Sequence, residues 1–191
     1  MADYKTIILD VSPNGVAVVT LNRPEKHNAF NADVIAELTD VFDHLSARAD
    51  ARLVILRGEG KSFSAGADLS WMKEAATYTQ AQNEADAVKL AEMLRKLHDL
   101  PQATLALVQG AAIGGGAGLV AACDVVVALA SAKFRFSEVR LGLTPATISP
   151  FVIKAIGPRW AKALFVTAES CLLYTSPSPR DQRGSRMPSS A

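Results

Sequence analysis

The chain has few of the residues from which metal, redox and nucleophilic sites are built. It has two cysteines in 191 residues. Cys123 and Cys171 form neither a disulfide framework nor a metal-ligand spacing. Its three histidines read as surface residues: His27 in a loop, His44 on a polar helix face, His98 near a helix end where the dipole suits a cation. It has no Lys/Arg cluster and no aromatic-basic stripe, and its formal net charge is +1, which excludes a nucleic-acid partner. No apolar run reaches the roughly 20 residues that span a bilayer. The start, "MADYKTIILD", places Asp3, Lys5 and Asp10 around a short apolar run and is neither a signal nor a transit peptide. The expectations are no metal, no membrane partner and a reducing cytoplasm.

What is present is ordinary for one globular domain, with 49% apolar and 20% charged residues. "YKTIILDVS" and "GVAVVTLN" are β-branched runs joined by Pro13, Asn14 and Gly15, a hairpin signal. Asn31 can cap a helix whose apolar face is Val34, Ile35, Leu38, Val41, Phe42 and Leu45. "RLVILRG" reads as a buried strand, and "KSFSAGADLSWM" as a short strand breaking into a loop and a helix start. Leu90, Met93, Leu94 and Leu97 define a second amphipathic helix that ends before Pro101. "TLALVQG" and "DVVVALA" are strands on either side of the glycine-rich helix start "IGGGAGLVAACD". "FRFSEVRLGL" is strand then loop, and "ISPFVIKAIG" and "PRWAKALFVTAE" are short helices. Strands alternating with helices predict an α/β core with buried strands.

From Ser170 the pattern stops. The last 22 residues hold six serines and three of the nine prolines, with Arg180, Arg183 and Arg186 against Asp181. That composition cannot bury a core. The chain therefore divides into a core domain over residues 1–169 and a tail over 170–191. The tail is read as disordered and foreign to the domain (a frameshift, a read-through or an assembly error), with a regulatory tail as the alternative.

Two glycine-containing loops carry the chemistry. In "SAGADL", Gly66 permits an unusual turn, and the small Ala65 and Ala67 let a ligand approach the backbone. Gly114, Gly115 and Gly116 place bare N–H groups at a helix start, where negative charge is favoured. No GK[ST] follows, and Leu119 stands where a dinucleotide fingerprint needs its last glycine. Each loop alone is explained by tight packing. Together, two backbone donors from two strand ends can converge on one oxygen as an oxyanion hole, each contributing about 2.7–4 kcal/mol in the transition state. Glu138 is an acid beside an apolar strand; on residue type alone it is a solvated strand-end glutamate.

"LNRPEKHNAF", "SFSAGADLSWM", "GAAIGGGAGLVAACD" and "FRFSEVRLGLTPA" resemble, in order and spacing, the signature segments of the crotonase (enoyl-CoA hydratase/isomerase) family, over about residues 4–169. The resemblance implies a crotonase-like spiral of ββα units, acyl-CoA substrates, and homotrimers that pair into hexamers. It implies no cofactor beyond the coenzyme A of the substrate. It places the oxyanion-hole N–H groups on Ala67 and Gly115 and the catalytic acid on Glu138. CoA and substrate contacts fall on Lys26, Ala29, Ala65, Asp68, Leu69, Gly114 and Gly118. Trp71 and Met72 follow the CoA loop and either wall the acyl pocket or pack in the core.

Two departures stand out. Two-acid hydratases of the family carry a glutamate where this chain has Gly118. The subgroup resembled through "SEVRLGL" and "PATI" is that of the bacterial methylglutaconyl-CoA and carboxygeranoyl-CoA hydratases. The implied reaction is addition of water to a 2-enoyl-CoA, a branched carboxylated one as in leucine breakdown, with Gly118 making room for the branch and removing a repelling charge. A Δ3-Δ2 enoyl-CoA isomerase using one glutamate, and a non-catalytic or inactive truncated member, are the alternatives. The second departure is that the C-terminal helical trimerisation region is missing, so the chain is expected not to form the trimer.

Overall fold

A computed structural model describes residues 4–172. The hairpin is present: strand β1 (Ile7–Val11) pairs antiparallel with β2 (Val16–Leu21). Every later partner of the main sheet is parallel. β3 (Leu53–Gly58), β4 (Ala103–Val108) and β6 (Val125–Ala128) extend it in the order β1-β2-β3-β4-β6. Their alternating burial gives a sheet with one well-covered face.

A second set of short pairings runs beside the main sheet. Phe30 bridges Ala67 and Ser64 bridges Ala112. β5 (Ala111–Ile113) pairs with β7 (Lys133–Arg135), and β7 with β8 (Ser170–Leu172). The chain thus repeats one unit: a long strand, a short second strand or bridge, then a helix. β2, Phe30 and helix α1 (Ala32–Ser46) make the first turn. β3, the Ser64–Ala67 bridges and helices α2 (Leu69–Ala75) and α3 (Gln80–His98) make the second. β4, β5 and α4 (Gly115–Ala122) make the third. β6 and β7 lead into helices α5 (Ser149–Ile156) and α6 (Pro158–Thr167).

The helix starts are set locally. The Asn31 side chain accepts from the Val34 N–H at 3.0 Å and caps α1, whose six expected apolar residues are all buried. Thr79 and Gln82 form a capping box on α3. Two expectations are corrected. "KSFSA" forms one isolated bridge, at Ser64, rather than a strand, because Gly66 turns the chain at φ +86°. β6 is apolar but exposed: Val125, Val126 and Val127 are all open to solvent, on both faces of the last strand of the main sheet. Apolar content marks a strand, whereas position in the sheet decides whether it is covered.

Of the segment assigned to the tail, Ser170–Leu172 pairs with β7 and is continuous with the body; the remainder lies outside the described residues. Among the described residues no helix is long and apolar enough to cross a membrane.

Candidate active site

The two glycine loops meet where the second and third turns of the spiral touch. Gly66 lies against the end of β5: a Cβ there would stand 2.9 Å from the Ile113 carbonyl oxygen and 3.9 Å from the Gly114 Cα. The loop is anchored from the side of residues 22–30. Ala65 N–H donates to the His27 carbonyl (2.9 Å), Phe30 N–H to the Gly66 carbonyl (2.6 Å), and Asp68 N–H to the Phe30 carbonyl (2.8 Å). The Ser64 hydroxyl, fully buried, donates to the Asn28 carbonyl at 2.9 Å.

Arg23 closes the same corner. Its guanidinium donates to the Ala29 carbonyl at 2.6 Å and to Asp68 Oδ2 at 3.0 Å, while Asp68 Oδ1 accepts the Ser70 N–H and caps α2. The Ser70 N–H, with Arg23 beside it, holds the Asp68 carboxyl below the usual carboxylate range. A depressed folded pKa stabilises the fold above the unfolded value, near 4, and that contribution is lost as pH falls through the folded value. Arg23→Met is expected to cost about 3 kcal/mol, because it strands a largely buried carboxylate, and to weaken that acid limb, since the Ser70 N–H still holds the carboxylate. Urea unfolding at pH 7 and pH 3 measures both.

Each glycine of the "GGGAG" run is bare for a different neighbour. At Gly114, with φ +51° and ψ −118°, an added Cβ would come within 3.0 Å of Glu138 Oε1. At Gly115 it would meet the Phe30 ring at 2.9 Å, and at Gly116 the Ser64 Cβ at 2.7 Å. At Gly118 it would run into Ile148 Cγ2. The first three contacts bring loop 64–69, the start of α4 and Glu138 into one place.

The fourth contact corrects an expectation. Gly118 is buried in α4 and makes no room for an acyl branch, because Ile148 at the N-cap of α5, 1% exposed, fills the space in front of it. Gly118 is a helix-packing residue facing α5. Gly118→Ala is expected to lose about 1–3 kcal/mol by overpacking. In the double variant Gly118→Ala/Ile148→Gly that loss is largely relieved, giving a coupling above about 1 kcal/mol in a double-mutant cycle. Additive costs would contradict the interlock.

Three features remain for chemistry. The Ala67 and Gly115 N–H groups have no hydrogen-bond partner among the described residues. Ala67 is exposed and Gly115 half-buried, whereas Gly114 and Gly116 are buried. The third feature is Glu138, in the short 3-10 turn Glu138–Leu141 after β7. Its Oε2 is buried without a hydrogen-bond partner, and burial raises its pKa above the ordinary glutamate value. A buried carboxylate oxygen without a partner costs stability, and a raised pKa beside it marks Glu138 as a candidate for proton transfer. Gly114, at the N-cap of α4, lies between the Gly66 loop and this carboxylate.

The enoyl-CoA hydratase/isomerase family model matches residues 12–172. The chain belongs to this family. A short-chain-enoyl-CoA hydratase of Clostridium acetobutylicum is 37% identical over 157 residues, covering 81% of this chain and 59% of that protein. A crystal structure of an enoyl-CoA hydratase from Shewanella pealeana matches with a TM-score of 0.87 at 41% identity, over 90% of this chain and 64% of that one. A mitochondrial Delta(3,5)-Delta(2,4)-dienoyl-CoA isomerase of Dictyostelium discoideum is 31% identical over 180 residues, 88% of this chain and 61% of that protein. The chain spans about half to two-thirds of the length of the relatives it matches. Its α/β spiral is the crotonase fold expected from the resemblance.

Within this hydratase/isomerase fold, Lys26, Ala29, Ala65, Asp68 and Leu69 lie on two adjoining loops joined by the bonds above. Lys26 and Leu69 are exposed and free to meet a ligand. Asp68 is committed to Arg23 and the α2 cap, and Ala29 is buried, offering its carbonyl to Arg23. Trp71 is partly buried against the core. The histidines make contacts of their own: His27 with Ser62, and His98 with Lys154 and the Ala122 carbonyl. Among the described residues no cluster of His, Cys, Asp or Glu is placed to hold a metal. Arg23, Phe30, Ser64 and Ile148 were not singled out in the sequence. They lie inside the quoted segments, but what each one does is set by neighbours from other turns of the spiral.

Proposed function

We propose that the chain carries an acyl-CoA site of the hydratase type, with the thioester oxygen held by the Ala67 and Gly115 N–H groups and Glu138 as the one acid-base group. The observation that carries this reading is that Gly66 packs on Gly114 and Gly114 on Glu138, which gathers the loop of Ala67, the start of α4 and a half-buried carboxylate, with the Ala67 and Gly115 N–H groups unpartnered among the described residues. Lys26, Leu69 and the rim of the Ala65 loop would receive the CoA portion. In the reaction, Glu138 takes a proton from water as its oxygen bonds to C3 of a 2-enoyl thioester. The C2=C3 electrons move onto the thioester oxygen, where the two donors stabilise the enolate. Glu138 then returns the proton to C2. One carboxylate closes this cycle, as it must when residue 118 carries no acid.

The steric case for a branched, carboxylated substrate falls with Gly118; its electrostatic half stands. Glu138 is the one ionisable group assigned to the reacting centre, so a substrate carboxylate meets less repulsion than it would beside two acids. A single glutamate also fits a second reading, a Δ3-Δ2 enoyl-CoA isomerase, in which Glu138 moves a proton between C2 and C4. Mass spectrometry after incubation with a 2-enoyl-CoA and with a 3-enoyl-CoA separates the two. Hydration adds one water to the 2-enoyl thioester, and isomerisation leaves the mass unchanged. A chain that does neither is the non-catalytic member of the family.

A further inference from the structure

Phe30 touches both loops that bear the unpartnered donors. Its peptide is built into the first: its N–H donates to the Gly66 carbonyl at 2.6 Å, and its own carbonyl accepts from Asp68 N–H at 2.8 Å. Those two bonds bracket Ala67, the residue Phe30 bridges. In a parallel bridge of this form the bracketed residue turns its own N–H away from the partner strand. The Ala67 donor therefore faces away from Phe30. The ring of the same residue, 1% exposed, lies on the second loop. A Cβ at Gly115 would stand 2.9 Å from its Cε2 and 3.0 Å from its Cδ2.

The two donors belong to different turns of the spiral, and sequence neighbours do not fix the distance between them. Gly66 against the Ile113 carbonyl lets the loops approach, but glycine has no side chain with which to set how far they slide. Phe30 supplies that. Its backbone is locked to one loop, and its ring, held by the core, is a rigid spacer against the other. We propose that Phe30 is a positioning residue that sets the spacing of the Ala67 and Gly115 N–H groups. The inference rests on the oxyanion-hole reading above and adds to it the group that gives the hole its dimensions. Hydrogen bonds from two donors to one oxygen weaken steeply with misplacement.

The test reads carbonyl polarisation directly and needs no turnover. A cinnamoyl-type CoA thioester absorbs at longer wavelength when its carbonyl oxygen accepts strong hydrogen bonds. Bound at saturation to the unmodified chain, it is expected to show a red shift. Phe30→Leu removes the ring that sets the spacing. Gly115→Ala keeps the donor but pushes a methyl into the ring. With the probe at saturation, each is expected to lose about half or more of the shift. The pair Phe30→Leu/Gly115→Ala, in which the smaller side chain admits the methyl, is expected to regain most of it. Gly115→Ala carries the test if Phe30→Leu does not fold. Full shifts in the single variants, or a pair no better than its members, overturn the role of Phe30. An unmodified chain that gives no shift overturns the oxyanion-hole reading itself, and Phe30 with it.

Discussion

Glu138→Gln is expected to reduce turnover by at least about a hundredfold while acyl-CoA affinity stays nearly unchanged. The amide keeps the shape of the carboxylate and removes its capacity to accept and return a proton. It is also expected to make the chain more stable at neutral pH, by about 0.5–2 kcal/mol. Burial raises the folded-state pKa of Glu138 above its ordinary value of 4.5, so the folded chain holds that proton more tightly than the unfolded chain. The contribution of this group to stability therefore declines as pH rises from the unfolded value through the folded one. The glutamine variant lacks that decline. Loss of turnover with a gain in stability marks a functional group; loss of both would mark a structural one. Steady-state kinetics and urea unfolding at pH 4 and pH 7 separate the cases.

Gly115→Pro is expected to lower kcat by about 10²–10³-fold with a smaller change in KM, the effect of deleting one oxyanion donor. Gly115 is the first residue of α4. Proline is tolerated at that position, because its missing N–H is one the helix leaves unpaired. The added ring atoms do meet Phe30, so Gly115→Ala is the control: it makes the same contact and keeps the donor. The gap between proline and alanine isolates the N–H. Activities of both variants close to that of the unmodified chain, with both folded by circular dichroism, would remove Gly115 from the site.

Much of this was legible in the sequence because the fold is built from local signals. The Pro13–Gly15 turn, the Asn31 cap and the apolar face of α1 each depend on neighbours in the chain, and each is where the pattern placed it. The glycine run was legible as a place where backbone must be bare. What each glycine is bare for was not, because Phe30, Ser64, Glu138 and Ile148 arrive from four separate segments. Gly118 shows the consequence. Absence of a side chain reads in sequence as space, yet the space is occupied by Ile148. Asp68 shows the converse: a polar residue in a ligand loop reads as a contact, but Arg23 and the α2 N-terminus already engage it. The exposed valines of β6 make the same point at the scale of the sheet, since apolar content does not reveal which strand comes last.

The proposed reaction requires that Glu138 exchange a proton with carbon while the Ala67 and Gly115 N–H groups hold the resulting enolate. Deuterium incorporation at C2 of a saturated acyl-CoA in D₂O measures this step whether the product is a hydrate or an isomer. Exchange by the unmodified chain is expected, with its loss in Glu138→Gln and a large reduction in Gly115→Pro relative to Gly115→Ala. Exchange that persists in Glu138→Gln would contradict it.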